Sequence, residues 1–153
     1  MQTLENRLPP PFLTLIVAAA MWGLTFLAPP FALGAALHYA LVALFLALGG
    51  LYAFPAFIAF GRAKTTIDPV HIDRASTIVT TGIYRFTRNP MYVGLTCLLL
   101  GWSAFLASPW TALGPLFFVL YITKFQIAPE ERAMEARFGT PYLLYKSRVR
   151  RWI

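Results

Sequence analysis

The chain has 153 residues, of which 58% are hydrophobic and only 12% charged, and its mean hydropathy is +0.62. A soluble domain carries about 25% charged residues, so this composition excludes a water-soluble globule, a disordered chain and a coiled coil. A single cysteine excludes an intrachain disulfide. The net charge of +7 would point to nucleic acid in a soluble domain. In so apolar a chain, membrane lipids are the better-matched partner and no nucleic acid is expected.

The expected fold class is all-α: a polytopic membrane protein of about four transmembrane helices with a cytoplasmic C-terminal helical segment. The first span is expected over Pro11–Ala28, which holds no charge and ends at Pro29-Pro30. It is read as a span and not as a cleaved signal peptide, because Glu5 offsets the lone Arg7 and the apolar run is too long for a signal core. The second span is expected over His38–Phe60, with Gly49-Gly50 and Pro55 as points of bending. Arg88 to Lys124 encloses an uncharged stretch too long for one crossing of a hydrocarbon core of about 30 Å. Ser108-Pro109 is a turn signal within it, giving spans over Met91–Ala107 and Trp110–Ala128. Trp22, Trp102 and Trp110 fall near the expected outer boundary.

The basic residues fix the orientation. They precede the first span, lie between the second and third, or follow the end of the fourth, and the other two connections carry no charge. Both termini are therefore expected in the cytoplasm, with the chain in the plasma (inner) membrane. No carboxylate falls inside a span, which counts against an ion-coupled transporter.

Polar chemistry is confined to the segment after the second span and to the tail. Asn89-Pro90 reads as a helix start, with the Asn side chain as cap and proline at the first helical position. That puts Arg88 at the positive end of a helix dipole, where a cation needs an anion such as a lipid phosphate or a ligand carboxylate. Gly94 would admit a close backbone or ligand. Pro129-Glu130-Glu131 reads either as ordinary helix initiation or as a carboxylate pair gripping a cation at the membrane edge. Tyr142 and Tyr145 share a helix face, followed by a basic run to Arg151 suited to anionic headgroups. His38 is expected to be packed, Cys97 to be a buried small hydrophobe, and His71 near Asp68 and Asp73 lacks the paired spacing of a metal site, so no metal is expected.

In combination these segments resemble the isoprenylcysteine carboxyl methyltransferase and phospholipid methyltransferase superfamily of membrane enzymes. The family pattern is Gly-x-Tyr-x-x-x-Arg-His-Pro-x-Tyr-x-Gly, an apolar hairpin, Glu-Glu, then Phe-Gly-x-x-Tyr-x-x-Tyr and a basic end. This chain supplies Gly82, Tyr84, Arg88, Pro90, Tyr92, Gly94, Glu130, Glu131, Phe138, Gly139, Tyr142 and Tyr145 in that order. Asn89 stands where the family usually has His, so a titratable ring is lost there.

The resemblance implies a single membrane domain with S-adenosylmethionine bound by its C-terminal part, about residues 80–153. It implies cofactor contacts from Tyr84, Arg88, Asn89, Pro90, Tyr92, Gly94, Glu130, Glu131, Tyr142 and Tyr145. Arg88 and Glu131 are the expected catalytic residues: Arg88 pairs with the cofactor carboxylate, and Glu131 is the base if the acceptor is an amine. The expected substrate is a lipophilic small molecule or lipid entering from the bilayer. Two other readings stay open on the sequence alone, a sterol-reductase-like NADPH-dependent reductase and a non-enzymatic small membrane protein.

Overall fold

Proline at or next to the first helical position opens most of the helices. Pro10 starts α1 (Pro10–Leu24), Pro90 starts α3 (Pro90–Leu106), and Pro141 follows Thr140 at the head of α6 (Thr140–Arg148). A proline there loses no hydrogen bond, and its fixed φ suits the first turn. The computed structural model describes residues 8–28, 30–63 and 77–153. All regular structure among them is helical.

The helix α1 stops at Leu24, short of the expected Ala28. The reason is local: the Phe26 and Leu27 N–H groups bond three residues back, to Gly23 and Leu24, tightening the chain out of the α-helix. The helix α2 (Ala35–Ala63) is longer than the expected span and runs through Gly49, Gly50 and Pro55. The expected proximity of His71 to Asp68 and Asp73 lies outside the described residues. A short 3-10 turn, Gly82–Arg85, leads towards α3, with Gly82 at a φ of +63° that favours glycine. Ala107 takes the left-handed conformation at the end of α3, and Ser108-Pro109 turns the chain as the sequence suggests.

The helix that carries the expected fourth span does not end before Pro129. A 3-10 turn, Pro109–Ala112, runs into α4 (Leu113–Ile122), a π turn (Thr123–Ile127) and α5 (Ala128–Phe138) as one continuous helix. A proline inside an α-helix removes one donor and collides with the carbonyl four residues back. The π turn just before Pro129 widens the ladder, and the Ala128 N–H reaches Thr123 O, five residues back. Pro129 thus lies inside a helix, not at the start of a new one. Gly139, at φ +55°, makes the break to α6.

Ala35–Ala59 and Pro109–Phe138 are long and apolar enough to cross a membrane, and the apolar part of the second ends at Ala128. The shorter apolar helices are α1 and α3. Many large apolar side chains face outwards, among them Leu15, Phe26, Tyr39, Phe54 and Leu120, as a hydrocarbon surrounding requires. Inside, Leu13, Val17 and Met21 of α1 pack with Tyr92 and Leu99 of α3 and with Phe118 and Ile122 of α4. Glycines bring these helices close. A Cβ on Gly94 would lie 3.1 Å from Gly49 O and 3.0 Å from Ala53 Cβ, so α3 rests on the backbone of α2. The Trp102 indole N–H, expected at a membrane boundary, donates to Ala18 O at 3.0 Å and ties α3 to α1.

Candidate active site

The site forms where the turn before α3, the start of α5, α6 and the last residues of the chain meet. Thr87 is fully buried. Its hydroxyl accepts from the Asn89 N–H at 3.1 Å, so the N-terminus of α3 is held by Thr87 and not by the Asn89 side chain. The Asn89 amide turns the other way and donates to Arg151 O at 2.8 Å, correcting the expected cap. The Arg88 N–H donates to Arg150 O at 2.9 Å. The chain end is therefore strapped across the turn. Trp152 pins it further: its indole packs on the core, and its N–H reaches Thr123 Oγ1 at 3.2 Å.

Arg88 and Glu131 meet directly. Arg88 Nη2 lies 2.9 Å from Glu131 Oε1, with both side chains under a tenth exposed. The anion expected for Arg88 is thus within the chain, although its buried Nε–H has no partner among the described residues. Arg151 grips the same carboxylate with Nε to Oε1 at 2.9 Å and Nη2 to Oε2 at 2.7 Å. Arg151 had been expected at lipid headgroups. It turns inwards because the strap carries it to a buried carboxylate, where a two-pronged guanidinium fit is strong. Lys146 Nζ stands 3.7 Å from Glu131 Oε2 and also pairs closely with Glu135.

Glu130 has different company. Tyr92 Oη and Gln126 Nε2 both donate to Glu130 Oε1 at 2.6 Å, and neither contact brings a positive charge. Both carboxylates lie beyond Ala128, outside the apolar stretch, and their environments push them apart. Burial raises the Glu130 carboxyl to about 7, with Glu131 adding repulsion and the Tyr92 and Gln126 hydrogen bonds only partly opposing it. Burial also works to raise Glu131. The Arg151 hydrogen bonds and the charges of Arg88, Arg151 and Lys146 more than reverse it and hold that carboxyl below its ordinary value.

The tyrosines complete the cradle as neutral groups. Tyr84 is buried on the 3-10 turn, and its carbonyl accepts from Tyr145 Oη at 2.8 Å. Tyr142 is buried on α6, 6.3 Å from the Tyr145 ring. Burial pushes the Tyr142 phenol up to about 12 and raises Tyr84 and Tyr145 as well, so all three keep their protons at neutral pH. Among the expected site residues, Tyr84, Arg88, Asn89, Tyr92, Glu130, Glu131, Tyr142 and Tyr145 belong to this cluster and Pro90 begins the helix that carries Tyr92. Gly94 departs from it: Gly94 faces α2, where its missing side chain admits a helix backbone. Sequence reasoning missed Thr87, Gln126, Arg151 and Trp152. Gln126 alone left a signal, an amide in an apolar stretch four residues before Glu130 and hence on its helix face.

Residues 37–141 match the model of the phospholipid methyltransferase family. The chain belongs to that family. It is similar to an uncharacterized protein of Haemophilus influenzae, 44% identical over 41% of this chain and all of the relative. It is similar to protein-S-isoprenylcysteine O-methyltransferase B of Arabidopsis thaliana, 29% identical over 67% of this chain and 52% of that enzyme. The protein-S-isoprenylcysteine O-methyltransferase of Schizosaccharomyces pombe is 31% identical over 69% of this chain and 44% of its own length. The chain thus spans about half the length of the curated methyltransferases it matches. No solved structure matches it.

Proposed function

We propose that the chain is a membrane-embedded methyltransferase that uses S-adenosylmethionine and modifies a lipophilic acceptor at the cytoplasmic membrane face. Family membership supports methyl transfer. The observation that carries the rest is the convergence of Arg88 from the head of α3 with Glu131 from α5, at 2.9 Å, beside the Tyr92–Glu130 pair. In this reading the whole chain is one domain, with the cofactor part over about 80–153. Four crossings with both termini inside keep the described basic residues on the side of the cradle, in accord with the positive-inside rule.

The residues fit an amino-acid zwitterion joined to a nucleoside. The Nε–H of buried Arg88, without a partner among the described residues and with Arg151 and Lys146 near, suits a carboxylate. Glu130 suits an ammonium, being the carboxylate of the pair with no cation among its hydrogen-bond partners in the described residues. Tyr142 and Tyr145 offer ring faces to a purine. When bound, S-adenosylmethionine supplies an electrophilic methyl on a sulfonium. Asn89 holds the strap and contributes no base. Arg88 and Glu131 orient the pocket, and their mutual neutralisation keeps it dry and fixed.

An acceptor carboxylate, as the names of the Arabidopsis and fission-yeast relatives suggest, needs no general base. An amine acceptor must lose a proton, and Glu130 then serves better than Glu131. Glu131 is held ionised by three cations, whereas Glu130 titrates near neutrality. The test is calorimetric binding of S-adenosylhomocysteine to the full chain in detergent. Binding that weakens at least tenfold in Arg88→Ala and Glu130→Ala is expected. No heat at millimolar ligand, or NADPH binding in its place, overturns the assignment.

A further inference from the structure

The π turn at Thr123–Ile127 buries a side chain that the fold alone does not need. Gln126 is 3% exposed on an apolar helix, where leucine would pack without a polar group to satisfy. An unbonded amide at such a site is costly to bury, so its partner explains its presence. That partner is Glu130 Oε1, at 2.6 Å and one turn along the helix. Tyr92 Oη reaches the same oxygen from α3 at the same distance. Two donors from two helices on one carboxylate oxygen fix both the rotamer of Glu130 and the plane of its carboxylate. Single π turns inside α-helices recur at functional sites, and this one sits between the apolar span and the carboxylate pair.

We infer that Gln126 is a positioning residue, paired with Tyr92, that orients the Glu130 carboxylate towards the ligand. The inference rests on the reading of Glu130 as a group that faces the cofactor. It separates the roles of the adjacent carboxylates: Glu131 is fixed by cations, Glu130 by neutral donors. Among the described residues, the titratable groups coupled to Glu130 are Tyr92 on α3, Glu131 on its own helix, Tyr84 on the 3-10 turn and Tyr142 on α6. None of the four is a cation, and the cations Arg88, Arg151 and Lys146 sit on the neighbouring Glu131.

The experiment uses the full chain in detergent and two readouts. Infrared titration follows the protonated-carboxyl band that Glu130→Gln removes, and calorimetry measures S-adenosylhomocysteine affinity. In Gln126→Met, which keeps the shape and removes the donor, the Glu130 midpoint is expected to rise by about one pH unit, because the ionised form loses a hydrogen bond. The affinity is expected to fall about tenfold. Adding Tyr92→Phe moves the midpoint further in the same direction. Should Gln126→Met fail to fold, Gln126→Asn, which keeps the amide but withdraws it, is read in the same way. A merely structural glutamine lowers the melting temperature and leaves the midpoint in place; that result overturns the inference. A wild type that binds no S-adenosylhomocysteine overturns the cofactor reading instead, and the infrared midpoint alone then decides the role of Gln126.

Discussion

Arg151 reaches back from the end of the chain to grip Glu131 side-on, with Nε on one carboxylate oxygen and Nη2 on the other. Its carbonyl meanwhile accepts from Asn89 and Thr87, so one residue locks the strap through both its side chain and its backbone. Removing one partner of a buried pair costs about 3–5 kcal/mol. The Arg151 side chain is 36% exposed, and Arg88 remains on Glu131, so solvent and a second cation reduce that cost. Arg151→Ala is expected to destabilise the chain by about 1–2 kcal/mol, read as a fall of a few degrees in the melting temperature in detergent. Arg151→Lys recovers less than half of the loss, since an ammonium cannot reproduce the fork. A variant as stable as the wild type would show that Trp152 and the backbone bonds of Arg150 and Arg151 hold the strap without the guanidinium.

The two neighbouring glutamates give opposite pH dependences. Glu131 titrates lower when folded than when unfolded, so its contribution is full above the unfolded value of about 4.5 and is lost as pH falls through the depressed folded value. Glu130 is raised to about 7 when folded. Its contribution is full below the unfolded value of about 4.5 and is lost as pH rises towards 7. Relative to Glu131→Gln, the wild type is therefore expected to lose stability below about pH 4.5. Relative to Glu130→Gln, it is expected to lose on the order of 3 kcal/mol between pH 4.5 and about 7 and little beyond. Melting temperatures of the three proteins across pH 4–8 check both signs, and parallel curves for wild type and Glu130→Gln would sink the second.

Two glycines at helix crossings differ in what an added methyl would meet. On Gly114 it would lie 2.3 Å from both Cγ and Sδ of Met21, whose side chain is buried in the core and would have to repack. On Gly94 it would press at 3.0–3.2 Å on Ala53 and on the backbone oxygen of Gly49, which cannot swing aside. Gly94→Ala and Gly114→Ala are each expected to cost about 1–3 kcal/mol, the first by pressing two helix backbones apart and the second by repacking Met21. Because Gly94 lies two residues from Tyr92, Gly94→Ala is also expected to weaken S-adenosylhomocysteine binding, and Gly114→Ala to leave it unchanged. Thermal unfolding of the two variants checks the shared loss of stability, and calorimetry checks that only Gly94→Ala weakens binding.

The helices and the Ser108-Pro109 turn were legible because apolar runs and prolines act locally. The meeting of Arg88 with Glu131 was legible only through the ordered motifs, since no periodicity relates residues on different helices. Pro129 misled, because proline after an apolar run reads as a new start, and the π turn that absorbs it has no sequence signature. Arg151 misled for another reason. A basic residue in a basic tail reads as a headgroup contact, and its true partner depends on the path of Arg150–Trp152 across the turn. Gln126 could have been suspected, because an amide in an apolar helix needs a partner and Glu130 is one turn away.

Asn89 occupies the position where the family pattern has His, and its observed work is to donate one hydrogen bond to Arg151 O at 2.8 Å. An imidazole N–H can donate to the same carbonyl, so Asn89→His is expected to keep the melting temperature within a few degrees, and the S-adenosylhomocysteine affinity within a few-fold, of wild type. Asn89→Ala leaves Arg151 O with the longer Thr87 contact at 3.3 Å and should cost about 0.5–1.5 kcal/mol. Asn89→Asp should cost more than Asn89→Ala, because an ionised carboxylate has no donor and sets two acceptors against each other. Its negative charge would sit at the N-terminus of α3, where the helix dipole offsets part of that penalty. The expected order of stability is therefore Asn, His, Ala, Asp. An Asp variant more stable than Ala would mean that the dipole outweighs the bond to the strap, and that Asn89 serves α3 before it serves the chain end.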